Sequence, residues 1–428
     1  MITRKGDRKK LLVIGAGISG LAGAHWARQA GWAVEILEAN TVPGGRAARF
    51  EYEGDYVSVG AQYFHVCYQD TCDLLADMGY ADKHQPMLRR TLTLHADGAL
   101  TTASRLGLRK LLGTGGRLSA AYFGARYLAP ARRFPTHELQ ADVPAMDDRV
   151  ASEALARLDR RFLDHVIFPA SYGLAQSYPD RTSLLHLARL MVMQTKEFQI
   201  PGGTFSLIRS LAESLPVEYE TPARRLVVER GRVVGAELED ESVRRADHVL
   251  VAVPGAAAAR LIPDELAEIR ENLDGTVSSP VIAPAFFLDR KLEGDYGIYT
   301  DMDPGRDFCL ALDQRAISAS GRSALVLLSA YPKTEELMRA SDEAILKKGL
   351  AQLERVVPGF RPGWVRHARV KRHPVGAPTF PPGQYRRNWE LQRLVEDQPG
   401  MSITDARGAH MEATVRRARI AVERMQAE

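Results

Sequence analysis

The chain has 428 residues, 45% hydrophobic and 26% charged, and its 57 basic and 53 acidic residues leave a formal net charge of +4. That length exceeds what one hydrophobic core usually supports and predicts two domains, while the composition excludes a disordered chain and the balanced charge excludes nucleic-acid binding by bulk electrostatics. Three cysteines, Cys67, Cys72 and Cys309, match neither a zinc site nor a disulfide scaffold, and no run of about 18 apolar residues predicts a membrane-spanning helix, so no metal and a cytoplasmic setting are expected.

The first element is KLLVIGAG, a short apolar run ending in glycine, which predicts a buried parallel strand entering a tight turn, although a basic start precedes it as in a signal peptide. A helix follows. Gly15, Gly17 and Gly20 form G-x-G-x-x-G: the first allows the turn, the second lets a diphosphate approach the backbone, and the third lets helix and strand pack closely. The phosphates would sit at the positive end of that helix. The next strand, WAVEILEA, ends at Glu38, whose carboxylate can accept hydrogen bonds from both ribose hydroxyls and disfavours a 2′-phosphate.

Gly44, Gly45 and Arg46 follow in EANTVPGGRAARF. This arrangement resembles the flavin-containing amine oxidoreductase superfamily, in particular its protoporphyrinogen oxidase and phytoene desaturase branch. The resemblance implies FAD, with the glycine pair passing beside the flavin and Arg46 contacting the phosphate and ribityl region; no cysteine lies near the C-terminal motif, so the FAD is expected to be non-covalent. A guanidinium beside a diphosphate is physically sensible in its own right. In VSVGAQYFHV, Gly60 matches the family segment that passes the flavin ring, but Ser58 and Val59 stand where an acid is common. Gln62, Tyr63 and His65 are candidates to face the ring, because alternate residues of an extended segment share a face. Tyr63 and His65 are therefore catalytic candidates, with simple packing the competing role for His65.

Residues 76–195 read as largely helical, with 149–167 as one amphipathic piece. Residues 105–134 interleave Arg and Lys with Leu, Tyr and Phe; peripheral contact with an anionic membrane and an amphipathic lid are both open. FPASYGLAQSYPDRTSLLHLARLM resembles a cavity wall of the family, with Tyr172 as a catalytic or wall residue.

Gly202 and Gly203 open another helix, RRLVVERGRVVGAELED reads as two strands joined at Arg230 and Gly231, and ADHVLVAVP as a further strand. The resemblance gives Ala223 a backbone contact with adenine. Two more strands, SPVIAPAFFLDRKL and SALVLLSAYP, precede the helical SDEAILKKGLAQLERVV. Amine oxidases of the family carry a lysine on the first of these, bonded through water to flavin N5. Residues 279–284 contain none, which argues against simple amine oxidation. Further on, HPVGAPTFPPGQYRRNW matches the family's approach to the flavin at Pro378, Phe380 and Gly383.

In the closing MSITDARGAHMEATVRRARIAVERM, Asp405 is expected at the ribityl or phosphate region and Met411 with Glu412 at a helix start aimed at the flavin. Glu412 as a plain first-turn acid stays open. Thr404, Ala413 and Ala418 stand where the family has glycines, and the expected cost is crowding. The whole predicts an α/β fold, a Rossmann-type, glutathione-reductase-like FAD-binding domain (1–75, 196–265 and 366–428) interleaved with an α+β substrate domain (76–195 and 266–365). It implies an FAD-dependent oxidoreductase dehydrogenating a largely apolar small molecule, with oxygen or another electron acceptor as the second partner. Amine oxidation and a redox-neutral flavin isomerase are the alternatives, and oligomeric state stays open.

Overall fold

The computed structural model describes residues 8–87, 90–94, 100–102, 105–134, 140–171, 177–193, 196–301, 303, 305–329, 332–405 and 410–427. Lys10–Ile14 (β1) runs parallel to Ala33–Leu37 (β2) on one side and to His248–Val251 on the other. Val217–Glu218 and Met401–Ile403 complete a five-stranded parallel sheet in the order 217–218, β2, β1, 248–251, 401–403. Its central strands are the apolar runs KLLVI and HVLV because both faces are covered. Ile18–Gln29 (α1), Thr204–Ser214 and the C-terminal helix Met411–Ala427 cover one face. The other lies against the hairpin Ala223–Glu229 and Arg232–Leu238 and the helices that follow it. That hairpin turns at Arg230 (φ 51°) and Gly231 (φ 76°), two positive-φ residues in a two-residue loop, as the sequence predicts.

Beside this sheet, Arg49–Tyr52 (β3) and Asp55–Ser58 (β4) form an antiparallel hairpin, and Phe64–His65 (β5) pairs with Glu197–Gln199 (β6). A seven-stranded sheet holds Ser278–Leu288 (β7) between Val365–Pro378 (β8) and Ala324–Ser329, and continues through 308–313, 296–301, 90–94 and 100–102. The odd residues of β7, Val281, Ala283, Ala285 and Phe287, pack towards the β3–β4 hairpin, and Ile282, Phe286 and Leu288 face the helix at 342–356. The domain boundary expected at residue 366 is misplaced. β8 is hydrogen-bonded along β7, so residues 365–378 belong to the seven-stranded sheet.

The single amphipathic helix expected over 149–167 is broken. Ala151–Leu155 ends, and the Asp159 side chain accepts from the Arg161 N–H to start a new turn at Arg160–Phe162, which runs into a wide turn at Leu163–Ile167. An N-cap aspartate in mid-pattern restarts a helix whatever the apolar spacing around it. Asp159 also fixes its neighbour: in Arg105–Phe123 (α3), Gly113 has φ 57°, and a Cβ on Gly115 would lie 2.3 Å from the Asp159 carboxylate. Tyr172 lies outside the described residues.

Candidate cofactor cleft and redox site

The three glycines after β1 behave as their spacing implies. Gly15 has φ 106°, and its N–H donates to the Leu37 carbonyl at 2.8 Å. A Cβ on Gly20 would lie 2.0 Å from the Gly15 carbonyl oxygen, so only glycine lets α1 sit that close to the strand. At Gly17 a Cβ would meet nothing within 4 Å. This open backbone precedes α1, whose N-terminus has no capping side chain and no first-turn acid. Free N–H groups at a positive helix end suit a diphosphate.

Glu38, buried at the end of β2, accepts from Ala16 N–H at 2.8 Å, Asn40 N–H at 2.9 Å and the Asn40 amide at 2.6 Å. Its carboxylate is fixed by the glycine loop itself: Oε1 takes both Asn40 donors, and Oε2, with one donor, keeps a lone pair for a ribose hydroxyl. Thr221 N–H donates to the Glu38 carbonyl at 2.9 Å, which carries Ala223 to the same end of β2. Gly44 (φ 120°) and Gly45 (φ 51°) turn the next loop back, and Gly44 N–H donates to the Ala16 carbonyl at 3.0 Å.

From that loop Arg46 reaches Asp405, with Nη2 2.5 Å from Oδ1, while Asp405 Oδ2 accepts from Gly255 N–H at 3.1 Å. Residues from opposite ends of the sequence meet. Gly60 sits below: a Cβ there would lie 2.0 Å from the Arg46 carbonyl oxygen, to which Ala61 N–H donates at 2.9 Å. The residues present thus offer a dinucleotide its helix end, ribose carboxylate and phosphate-side guanidinium.

At the C-terminal motif the structure corrects one expectation. Met411 does open the last helix, but the Glu412 carboxylate is turned away to Gln69–Asp77 (α2). It accepts from Asp70 N–H at 2.8 Å, Thr71 N–H at 3.0 Å and Thr71 Oγ1 at 2.6 Å. Glu412 caps α2, a pairing 342 residues apart in sequence, and burial raises its pKa. Within the chain itself, Thr404 and Ala418 are accommodated against α1. Thr404 donates or accepts across 2.9 Å with Ser19 on α1, and Ala418 faces Gly23, where a Cβ would come 3.5 Å away.

Tyr63 and His65 do come together, with rings 5.3 Å apart and nearly perpendicular. Tyr68 lies 4.9 Å from His65, His410 lies 6.5 Å away, and His65 Nδ1 is 3.9 Å from the Glu197 carboxylate. Burial, then the charge of Glu197, pushes the Tyr63 phenol up to about 12, and burial holds Tyr68 well above its ordinary value. Both are neutral donors over the physiological range. Tyr68, Glu197 and His410 were not legible as site residues, because the β5–β6 register that sets His65 opposite Glu197 joins two short strands. Gln62 turns elsewhere: its amide donates to the Gly60 and Ser58 carbonyls at 2.6 and 3.1 Å and meets Gln314, whose own amide bonds the Ser58 carbonyl and N–H. Among the described residues no group of three His, Cys, Asp or Glu could hold a metal ion.

A sequence model of flavin-containing amine oxidoreductases matches residues 18–425. The chain belongs to that family. Its cofactor is therefore FAD, and it is an FAD-dependent oxidoreductase with a Rossmann-like domain and a substrate domain. It is 24% identical to the 15-cis-phytoene desaturase of Synechococcus elongatus over 429 residues, covering 88% of this chain and 87% of that enzyme. Against the enzyme so described from Narcissus pseudonarcissus it is 24% identical over 82% of its own length, and spans 66% of that protein. Among solved structures, wild-type putrescine oxidase bound to putrescine superposes with a TM-score of 0.82 at 17% identity over 99% of this chain and 100% of that one. A protein from Exiguobacterium sp. 255-15, provisionally described as a protoporphyrinogen oxidase, gives 0.78 at 21% identity over 98% and 99%. At those identities the structural likenesses speak for the fold.

Proposed function

We propose that this flavoprotein dehydrogenates a largely apolar small molecule. When bound, FAD supplies the hydride acceptor at N5 and passes electrons on to oxygen or another acceptor. The chain's own part is to orient the substrate, exclude water and donate hydrogen bonds from neutral groups. The observation that carries this reading is the cluster of Tyr63, His65 and Tyr68, whose phenols burial keeps uncharged. Two neutral phenols beside an imidazole favour an apolar ring or polyene over an anion. The desaturase relatives point the same way.

Gly15, Gly17, Gly20, Glu38, Gly44, Gly45, Arg46, Gly60, Ala223, Asp405 and Met411 are the residues we assign to FAD, with Glu412 acting only by fixing the start of its helix. The test is anaerobic mixing of holoenzyme with carotenoid-like polyenes, tetrapyrroles and amines. Bleaching of the flavin by an apolar member alone supports the reading, and bleaching by amines alone overturns it. Amine oxidation is the second reading because Glu197, beside His65, offers an ammonium a carboxylate.

Substrates of this kind partition into lipid, and α3 gives that supply route a surface. Leu118 and Tyr122 are 68% and 51% exposed on it, beside the exposed Arg117. Apolar tips amid basic side chains suit an anionic bilayer surface. No helix among the described residues is long and apolar enough to cross a membrane.

A further inference from the structure

One face of β8 presents a row of side chains to the β3–β4 hairpin. His367 is stacked on Tyr52 with ring centroids 4.4 Å apart, the Arg369 guanidinium lies 4.4 Å from the centre of the Phe50 ring, and His373 Nε2 is 2.7 Å from the Val59 carbonyl oxygen. Lys371 falls between them, two residues from each, and side chains at that spacing share a face. Each neighbour in the row has its partner on the hairpin side. The half-buried Lys371 makes no ion pair and no side-chain hydrogen bond among the described residues.

The register shows what surrounds it. Lys371 is directly opposite Ala283 in the antiparallel ladder, so the two side chains emerge on one face with Cβ atoms about 5 Å apart. Ala283 packs with Val57 and Val59, and Ala48 adjoins the same cluster. Ala283 offers Lys371 only a methyl group, whereas the Tyr52 and Phe50 rings meet His367 and Arg369. Ala48 N–H and carbonyl belong to the stretch that also carries Arg46, and the Val59 N–H donates to the Ala48 carbonyl at 2.9 Å. The positive charges of Lys371 and Arg46 both bear on His373, whose pKa is lowered chiefly by burial.

An ammonium half removed from water without a counter-charge is costly unless something else compensates. We propose that Lys371 reaches from the edge strand as the cationic hydrogen-bond donor to the isoalloxazine of bound FAD, beside the methyl group of Ala283 on β7. This rests on FAD lying along Arg46 and Gly60. A cation at the ring favours the reduced cofactor, where negative charge accumulates. One consequence is that the missing lysine on β7 no longer counts against oxidation of a C–N bond. The preference for an apolar substrate then stands on the aromatic cluster.

The test is the two-electron reduction potential of FAD bound to full-length Lys371→Met, Lys371→Gln and Lys371→Arg holoenzymes, each with its FAD content measured. The expected result is one FAD per chain in all three. Met and Gln should shift the reduced-to-oxidised equilibrium at least tenfold towards oxidised, a fall of about 30 mV, and Arg should stay near wild type. Exposed Lys347→Met is the control and should change nothing. If Met alone fails to hold FAD, the Gln variant decides. Unchanged potentials in FAD-replete variants overturn the proposal. A wild-type protein that binds no FAD overturns the cofactor reading and this proposal together, and the two failures are told apart by the cofactor content alone.

Discussion

Arg46 and Asp405 lie 359 residues apart in sequence and meet with 2.5 Å between Nη2 and Oδ1. Asp405 is almost fully buried and also accepts from Gly255 N–H, whereas Arg46 is partly open towards the glycine loops. A pair so arranged holds a guanidinium at a fixed place with donors to spare, since one guanidinium carries five. Asp405→Asn or Arg46→Ala should each weaken FAD binding at least tenfold, about 1.4 kcal/mol. Fluorescence titration of apoprotein checks this. The double variant should be little worse than Arg46→Ala, because the two act as one unit.

Glu412 gives a contrasting expectation. Its carboxylate satisfies two backbone N–H groups and a hydroxyl at the start of α2, so Glu412→Ala should cost roughly 1–3 kcal/mol of stability. The spectrum of bound flavin should stay as in wild type. A large loss of FAD affinity with unchanged unfolding would show that the side chain serves the cofactor after all.

His186 provides the pH dependence. It is buried, stacked on Phe380 at 4.3 Å, with Nδ1 3.1 Å from Tyr385 Oη. Burial, then Arg189, pushes its pKa down to about 3. The depressed folded value means that the unfolded chain takes the proton first, so stability is full above an unfolded pKa of about 6.5 and falls as pH drops towards 3. Relative to His186→Gln, wild type should lose about 2 kcal/mol between pH 7 and pH 5 in urea unfolding. A constant difference across that range would contradict a neutral His186.

Tyr63→Phe and His65→Gln should keep FAD and fold stability while lowering turnover by roughly 10²–10³-fold, the range for loss of one positioned hydrogen-bond donor. Steady-state rates at saturating substrate separate this from a packing role, which would appear in thermal unfolding instead.

On α3, Leu118→Asp with Tyr122→Asp should abolish co-sedimentation with vesicles of anionic phospholipid and leave bound FAD unchanged. Retained binding would sink the membrane contact.

Legibility from sequence followed the locality of the physics. Gly15, Gly17, Gly20 and Glu38 lie within one βαβ stretch, where spacing and steric need are the same thing, and all four sit as expected. Arg46 and Asp405 were each readable as a cofactor residue, but their contact was not, since it depends on three chain segments entering one sheet. The capping of α2 by Glu412 was not legible, because a first-turn acid on one helix looks alike whether it faces a ligand or a neighbouring helix. The break at Asp159 was hidden under a continuous apolar pattern. Lys371 carries no motif at all and acquires meaning only through its register with Ala283.

The most direct test of the central claim, that these three stretches converge on FAD, is titration of apoprotein with FAD followed by absorbance and by release on denaturation. The account predicts saturation at one FAD per chain, with Arg46→Ala needing at least tenfold more FAD to reach it. A colourless protein that takes up no FAD at any concentration would contradict it.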